Sequence, residues 1–418
     1  MNGRGCKRGK RVIILVVFCA ILIYFIFLRK SKKSTDDIYR GFDFSSLQIN
    51  RQHYAQLLPN ALKKASTQKF ILLWYPPENN TVQYSLDPNI CGSCKIIQNR
   101  SEINNSLTAA VVFDSKKISP STMPPSPQRR QNKLFIYWIT ESPLTLAEKH
   151  GKNFDFDEKY HFNATMGYRR DADFHFPYGV LRRKGNQIHS IVEKKSRLAM
   201  VFISNCNNTK GAELRLRKIE ELIDHGLKLD AYGDCFPAKK DSSSLNDEDI
   251  TQSYKYYLAF EDSHHCKDYI TSDFYRNLET GVVPVVWGAK RQDYEKVAPP
   301  DSFIHIEDFQ SAMDLVDYLT YLDHNDTAYS QYFRWREVVK DDHPMGVRKV
   351  GFCQLCREIH GIHVDDVHKD KFDPSKMYRP LFSGHMLSRN LYSLKKWLLD
   401  EENSECSPGF VIDSQNIK

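Results

Sequence analysis

Beyond residue 33 the chain has no positive surplus. Its 59 Lys and Arg against 52 Asp and Glu give a net +7, but residues 1–33 hold nine positive and no negative charges. Taking those nine away leaves a slightly acidic remainder, which gives nucleic-acid binding no electrostatic support. A second absence concerns Val12–Leu28, an unbroken run of 17 apolar or aromatic residues, at the lower limit for a spanning helix. No small-residue cleavage site comes after it, which argues against a cleaved signal peptide and for a retained anchor. Third, Ser31 to about Ser66 lacks any strand series and reads as a stem. Five basic residues precede the apolar run and four come after it, a weak inside-positive bias.

The chain past the stem has the marks of a lumenal domain. Sequons begin at Asn79, Asn99, Asn104, Asn163, Asn207 and Asn325, and eight cysteines lie beyond the apolar run, as expected in an oxidising, glycosylating compartment. Cys6 and Cys19 fall before and within the run and are read as free or lipidated. Cys91-x-x-Cys94 and Cys353-x-x-Cys356 form two CxxC pairs. In a cytosolic chain these would suggest a zinc site or redox chemistry; in a secretory lumen disulfides are favoured. Cys206 and Cys235 end neighbouring predicted strands and form a further candidate pair, whereas Cys266 and Cys406 receive no partner.

The globular part alternates short apolar runs with helical patterns, which predicts an α/β fold of doubly wound parallel sheets. Phe70–Tyr75, Ala109–Phe113 and Leu134–Ile139 read as strands buried on both faces. A second series begins near Arg197: a strand Leu198–Ile203, a helix Glu213–Asp224 ended by Gly226, and a strand Lys228–Tyr232. The stretch Tyr254–Ala289 reads as a βαβ unit with strands Tyr256–Phe260 and Val282–Trp287. Between them lies a helix capped by Thr271 and ended by Gly281. Phe303–Ile306 and Ala312–Leu322 extend the pattern, and an amphipathic Leu391–Leu399 is expected to fold back on the first domain. In open parallel sheets ligands lie beyond the carboxyl ends of the strands, which places Asp262–Asp273 at a binding edge and Glu141, directly after the third strand, facing a cleft as a candidate base.

Phe260-Glu-Asp262, Asp268-Tyr-Ile-Thr271 and Val283-Pro-Val-Val-Trp-Gly288 closely resemble the donor-binding signature of the α1,3/4-fucosyltransferases, glycosyltransferase family 10. Glu141-Ser-Pro143 and Tyr168-Arg-Arg-Asp171 through Pro177-Tyr-Gly179 resemble two further family segments. The resemblance covers roughly Phe70 to Leu399. It implies a Golgi single-pass type II enzyme of GT-B architecture, with a cytosolic tail 1–11, anchor 12–28, stem 29–66, an acceptor-side Rossmann-like domain 67–196, a GDP-fucose-binding Rossmann-like domain 197–400 and a tail 401–418. The implied reaction is inverting, needs no metal, and moves fucose from GDP-fucose to a GlcNAc hydroxyl of a glycoprotein or glycolipid, with Glu141 as general base.

Donor contacts implied by the resemblance are Ser204, Asn205, Arg215 (Arg217 as fallback), Glu261, Asp262, Tyr269, Ser272, Asp273 and Arg276, with Tyr168, Arg169 and Arg170 lining the cleft. The family's cysteines imply that the two CxxC pairs tie the ends of the chain together. Asp171-x-Asp173 spells a metal motif, but its place in the family segment implies a structural or cleft-lining role. His360, His363 and His368 with Asp365 and Asp366, and His264-His265, are read as solvated loops.

The sequence departs from the family pattern where Glu-Lys becomes Ser272-Asp273 and where the Asn after Phe-Glu becomes Asp262. A cation is lost and an anion gained at the diphosphate, for which Arg276 or Lys267 is the candidate compensation. These departures keep open a second reading, a catalytically impaired Golgi paralogue that binds glycans or a partner.

Overall fold

The computed structural model describes residues 67–75, 86–119, 121–124, 133–150, 162–181, 188–206, 209–236, 248–338, 350–361, 394–399 and 406. The anchor, the stem, Asn79, Asn207, His363, Asp365, Asp366 and His368 lie outside these residues. Among the described residues no helix is long and apolar enough to cross a membrane.

The apolar runs become two wholly parallel sheets. The first holds β1 (Lys69–Leu73), β2 (Cys94–Ile97), β3 (Thr108–Asp114), β4 (Leu134–Ile139), β5 (Ala164–Gly167) and β6 (Phe174–His175), in the order β2-β1-β3-β4-β5-β6. β7 (Arg197–Phe202), β8 (Leu229–Tyr232), β9 (Tyr254–Phe260), β10 (Val283–Trp287) and β11 (Ile304–His305) make the second, in the order β11-β10-β9-β7-β8. Counted from its own first strand, each sheet runs second-first-third-fourth-fifth, with a sixth strand after these in the first sheet. That is the doubly wound order in which the strand direction of travel reverses between first and third strands and opens a crevice there. The crevices therefore fall between β1 and β3 and between β7 and β9.

The principal helices are α1 (Pro143–His150), α2 (Lys210–Asp224), α3 (Ser272–Thr280), α4 (Ala312–Asp323), α5 (Val350–Ile359) and α6 (Leu394–Leu399). Gly281 ends α3 at φ 82°, as a left-handed C-terminal cap requires. Thr271 occupies the N-cap position but makes no side-chain cap hydrogen bond; its amide donates instead to Glu261 Oε1 at 2.7 Å. Ile223, expected on the buried side of α2, is 42% exposed.

The last segments return to the first sheet. α5 buries Phe352, Leu355, Cys353 and Cys356 against Ile71, Leu73 and Phe174, and Leu394 and Leu398 of α6 join the core on the opposite face. The apolar side of α5 has its complement on the first sheet, and α6 packs back on the first domain as its amphipathic pattern suggests. Disulfides Cys91–Cys353 and Cys94–Cys356 fix that return, and Cys206–Cys235 pairs as the strand ends suggest. Cys266 and Cys406, left without partners by the sequence, bond to each other.

Of the sequons, Asn99 and Asn104 are exposed. Asn163 is a correction: it is 9% exposed, and its Oδ1 accepts the Phe135 amide at 2.7 Å, so the folded chain does not present it. Asn325 caps a short helix by accepting from the Ala328 amide at 3.0 Å.

Candidate active site

Glu141 stands one residue past Thr140 at the carboxyl edge of β4, with its side chain 16% exposed and its Oε1 2.7 Å from Lys116 Nζ. Burial pushes its carboxyl above the ordinary range, with the charges of Asp262 and Asp114 adding and Lys116 opposing. The influence of Asp262 comes from the other domain, so the two edges share one electrostatic site.

At the β7/β9 crevice, Asn205 Nδ2 donates to Asp262 Oδ2 at 3.3 Å, and Tyr269 Oη donates to Asp262 Oδ1 at 3.1 Å. Arg215, on α2, donates to the Asn205 carbonyl at 2.7 Å and to the Phe260 carbonyl at 3.3 Å, which ties the ends of both crevice strands together. Asn205 Oδ1 and Arg215 Nε are buried without a hydrogen-bond partner among the described residues. Such orphan polar atoms are rare in folded chains and gather where a fold serves something other than its own stability. Arg217, the fallback, points outward to Glu213.

Glu261 is 3% exposed; burial pushes its carboxyl up to about 8, helped by Asp262 and Asp273 and opposed by hydrogen bonds from Thr271. Gly288 faces it at φ 137°, and a Cβ there would come within 2.5 Å of Glu261 Cβ. Ser272 is exposed at the start of α3.

Asp273 accepts from Tyr257 Oη and from Arg276 Nη2, both at 3.0 Å, while Lys267 Nζ lies 3.4 Å from Asp171 Oδ2. Both cations proposed as compensation thus already face carboxylates.

Three tyrosines join the two edges. Tyr168 stacks on Tyr178 at 5.8 Å and meets Tyr269 edge-on at 5.2 Å. Tyr168 Oη donates to the Glu141 carbonyl at 3.3 Å and Tyr178 Oη to the Thr140 carbonyl at 2.7 Å. Beside them Ser142 and Ser263 hydroxyls meet at 2.5 Å, and Arg170 Nη2 reaches Asp268 Oδ1 at 2.5 Å.

Arg169 corrects the cleft-lining expectation. It is 0% exposed, donates through Nε and Nη2 to Asp171 at 2.9 and 2.7 Å, and through Nη1 to the Trp397 carbonyl at 2.7 Å. It clamps α6 onto the first domain instead of facing a ligand. Asp171 is spent in that clamp, and Asp173 accepts from the Thr165 amide and hydroxyl at 2.8 and 3.0 Å, so both acids of the D-x-D motif serve the fold.

Sequence reasoning missed Lys116, and it gave no individual role to Tyr178, Ser142, Ser263 or Asp268 although each lies in a quoted segment or on the binding edge. Each acquires its role from a partner far away in the chain.

Two parallel doubly wound domains, joined at their carboxyl edges with a burial-shifted carboxylate on one and a polar crevice on the other, define a GT-B-like glycosyltransferase. The chain belongs to glycosyltransferase family 10: residues 66–179 match "Fucosyltransferase, N-terminal" and residues 192–370 match "Glycosyltransferase family 10 (fucosyltransferase) C-term". It is similar to the 4-galactosyl-N-acetylglucosaminide 3-alpha-L-fucosyltransferase of Pan troglodytes, with 34% identity over 68% of this chain and 77% of the relative. A Homo sapiens enzyme of the same description shares 31% over 84% and 91%, and the Bos taurus 3-galactosyl-N-acetylglucosaminide 4-alpha-L-fucosyltransferase shares 36% over 65% and 72%. A solved alpha1,3-fucosyltransferase with GDP-fucose aligns at 15% identity and TM-score 0.43, over 78% of this chain and 99% of that one.

Proposed function

We propose that this glycosyltransferase moves L-fucose from GDP-β-L-fucose to a GlcNAc hydroxyl of a glycoprotein or glycolipid glycan, with inversion and without a metal on the diphosphate. The observation that carries the reading is Glu141, a burial-shifted carboxylate in electrostatic reach of Asp262 across the cleft. Its carboxylate takes the proton of the acceptor hydroxyl as that oxygen bonds to the anomeric carbon, and the bond from that carbon to GDP breaks on the opposite face. The donor lies at the β7/β9 crevice, where the orphaned Asn205 and Arg215 atoms gather. Arg215, whose Nε is left without a partner among the described residues, is the cation this reading sets against the leaving diphosphate.

Steady-state transfer by Glu141→Gln tests this reading. Turnover should fall by about 10²–10⁴-fold, the usual worth of a general base, while GDP-fucose affinity stays near wild type. Full turnover in the variant would remove Glu141 from the chemistry. The second reading, an impaired paralogue that holds glycans or a partner, rests on Ser272-Asp273 and Asp262 at the positions where the family has Glu-Lys and Asn. A wild-type chain that neither binds GDP-fucose nor transfers fucose would establish it.

We place the catalytic part in the Golgi lumen behind a single-pass type II anchor at residues 12–28. Four disulfides and the exposed Asn99 and Asn104 support that side of the membrane. Peptide-N-glycosidase should increase the gel mobility of the cellular protein, and unchanged mobility would argue against lumenal exposure.

A further inference from the structure

His264 and His265 are not the solvated pair that their sequence context suggests. His264 is 4% exposed, its ring stacked on Trp287 with centroids 5.2 Å apart and on His265 at 3.6 Å. Consecutive side chains along a regular backbone point apart, yet both imidazoles here converge on one carboxylate. Glu307 Oε1 lies 2.9 Å from His264 Nε2 and 2.9 Å from His265 Nε2, and Glu307 Oε2 lies 3.1 Å from the latter.

The backbone makes this convergence possible. His265 adopts φ 53°, a left-handed conformation that non-glycine residues rarely take. The turn is secured by its amide, which donates to the Gly288 carbonyl at 2.5 Å, and by the Cys266–Cys406 bond to the next residue. A strained residue held by its surroundings marks a site with a purpose beyond the turn.

We propose that His264, His265 and Glu307 form a divalent-metal site of zinc character at the carboxyl edge of β9, β10 and β11. Two imidazole nitrogens and one carboxylate are the donor set of open zinc sites, which complete their tetrahedron with water. All the donor atoms lie within 4.8 Å of one another. Tetrahedral zinc with bonds near 2.0–2.1 Å sets its ligand atoms about 3.3 Å apart, so the pairs now at 2.9 Å need open by only a few tenths of an ångström.

No thiolate competes for the ion among the described residues. The cysteines near His360 are both consumed in disulfides. The ion would pin the donor loop to the β11 segment. It goes beyond the fucosyl-transfer reading, since its ligands are not those placed against the diphosphate.

The test is zinc stoichiometry of the full-length chain, purified without a polyhistidine tag, dialysed against micromolar zinc and measured by elemental analysis. Wild type should hold about one zinc per chain, and chelation should lower its Tm. Glu307→Gln and His265→Gln, both at positions with solvent access, should each weaken zinc binding on the order of 100-fold, and chelation should leave their Tm unchanged. Cobalt loaded in place of zinc should show a tetrahedral visible spectrum in wild type only. A wild-type chain that retains no zinc overturns the site, as do variants that retain it equally. In either case the cluster would be a hydrogen-bonded imidazole–carboxylate group.

Discussion

Glu261 is a buried carboxyl beside the charges of Asp262 and Asp273. Its folded carboxyl stands near 8 against an ordinary 4.5, chiefly through burial. Between those values the folded chain keeps a proton that the unfolded chain has released. The stabilisation from this group is therefore complete below about pH 4.5 and lost as pH rises through about 8. At about 1.4 kcal/mol per pH unit, the loss is on the order of 3–5 kcal/mol. Glu261→Gln carries no such proton, so its stability relative to wild type should improve by that order between pH 5 and pH 8. Urea midpoints of both proteins at the two pH values check this, and parallel pH dependences would show that Glu261 does not titrate as argued. Asp262 and Asp273 read in sequence as donor contacts that depart from the family pattern; folding gives the first to Tyr269 and Asn205 and the second to Tyr257 and Arg276.

Among the elements, α2 sets the floor of the crevice because its second residue has no side chain. A Cβ on Gly211 would lie 2.0 Å from the Asp262 carbonyl oxygen and 3.2 Å from Ser263 Cα. The obstruction is backbone, so the helix itself must withdraw. Gly211→Ala should cost about 1–3 kcal/mol of stability, the usual penalty of overpacking, and should weaken GDP-fucose binding by at least about tenfold, as a shift of that size at a binding edge would. Calorimetric titration checks the second part, and unaltered affinity would place the donor away from α2. The long elements were legible because burial writes itself into them: Leu134–Ile139 is a strand at the very residues its apolar run marks. β2, β5 and β6, of four, four and two residues, escaped notice. α5 escaped because its apolar side answers a sheet more than 170 residues earlier in the chain.

At the scale of the molecule, the site edges were readable and the joint between them was not. Glu141 declares itself by its place directly after a strand, and Asp262 likewise. The tyrosine trio, the Ser142–Ser263 contact and the Cys266–Cys406 bond exist only once both sheets are in place. The two bridges between the CxxC pairs carry the last consequence. Each spans 262 residues, and a first bridge across such a loop removes about 5 kcal/mol of unfolded-state entropy. With one bridge formed, the other closes a ring of only about eight residues and adds about 2–3 kcal/mol. Replacing either pair with alanines should therefore cost about 2–3 kcal/mol, while replacing both should cost about 7–8, well above the sum of the single losses. Urea midpoints of the two single-bridge variants and the bridgeless variant measure this. Losses that add within about 0.5 kcal/mol would mean that the unfolded chain does not feel the long loop, and that the return of α5 to the first sheet rests on its apolar face alone.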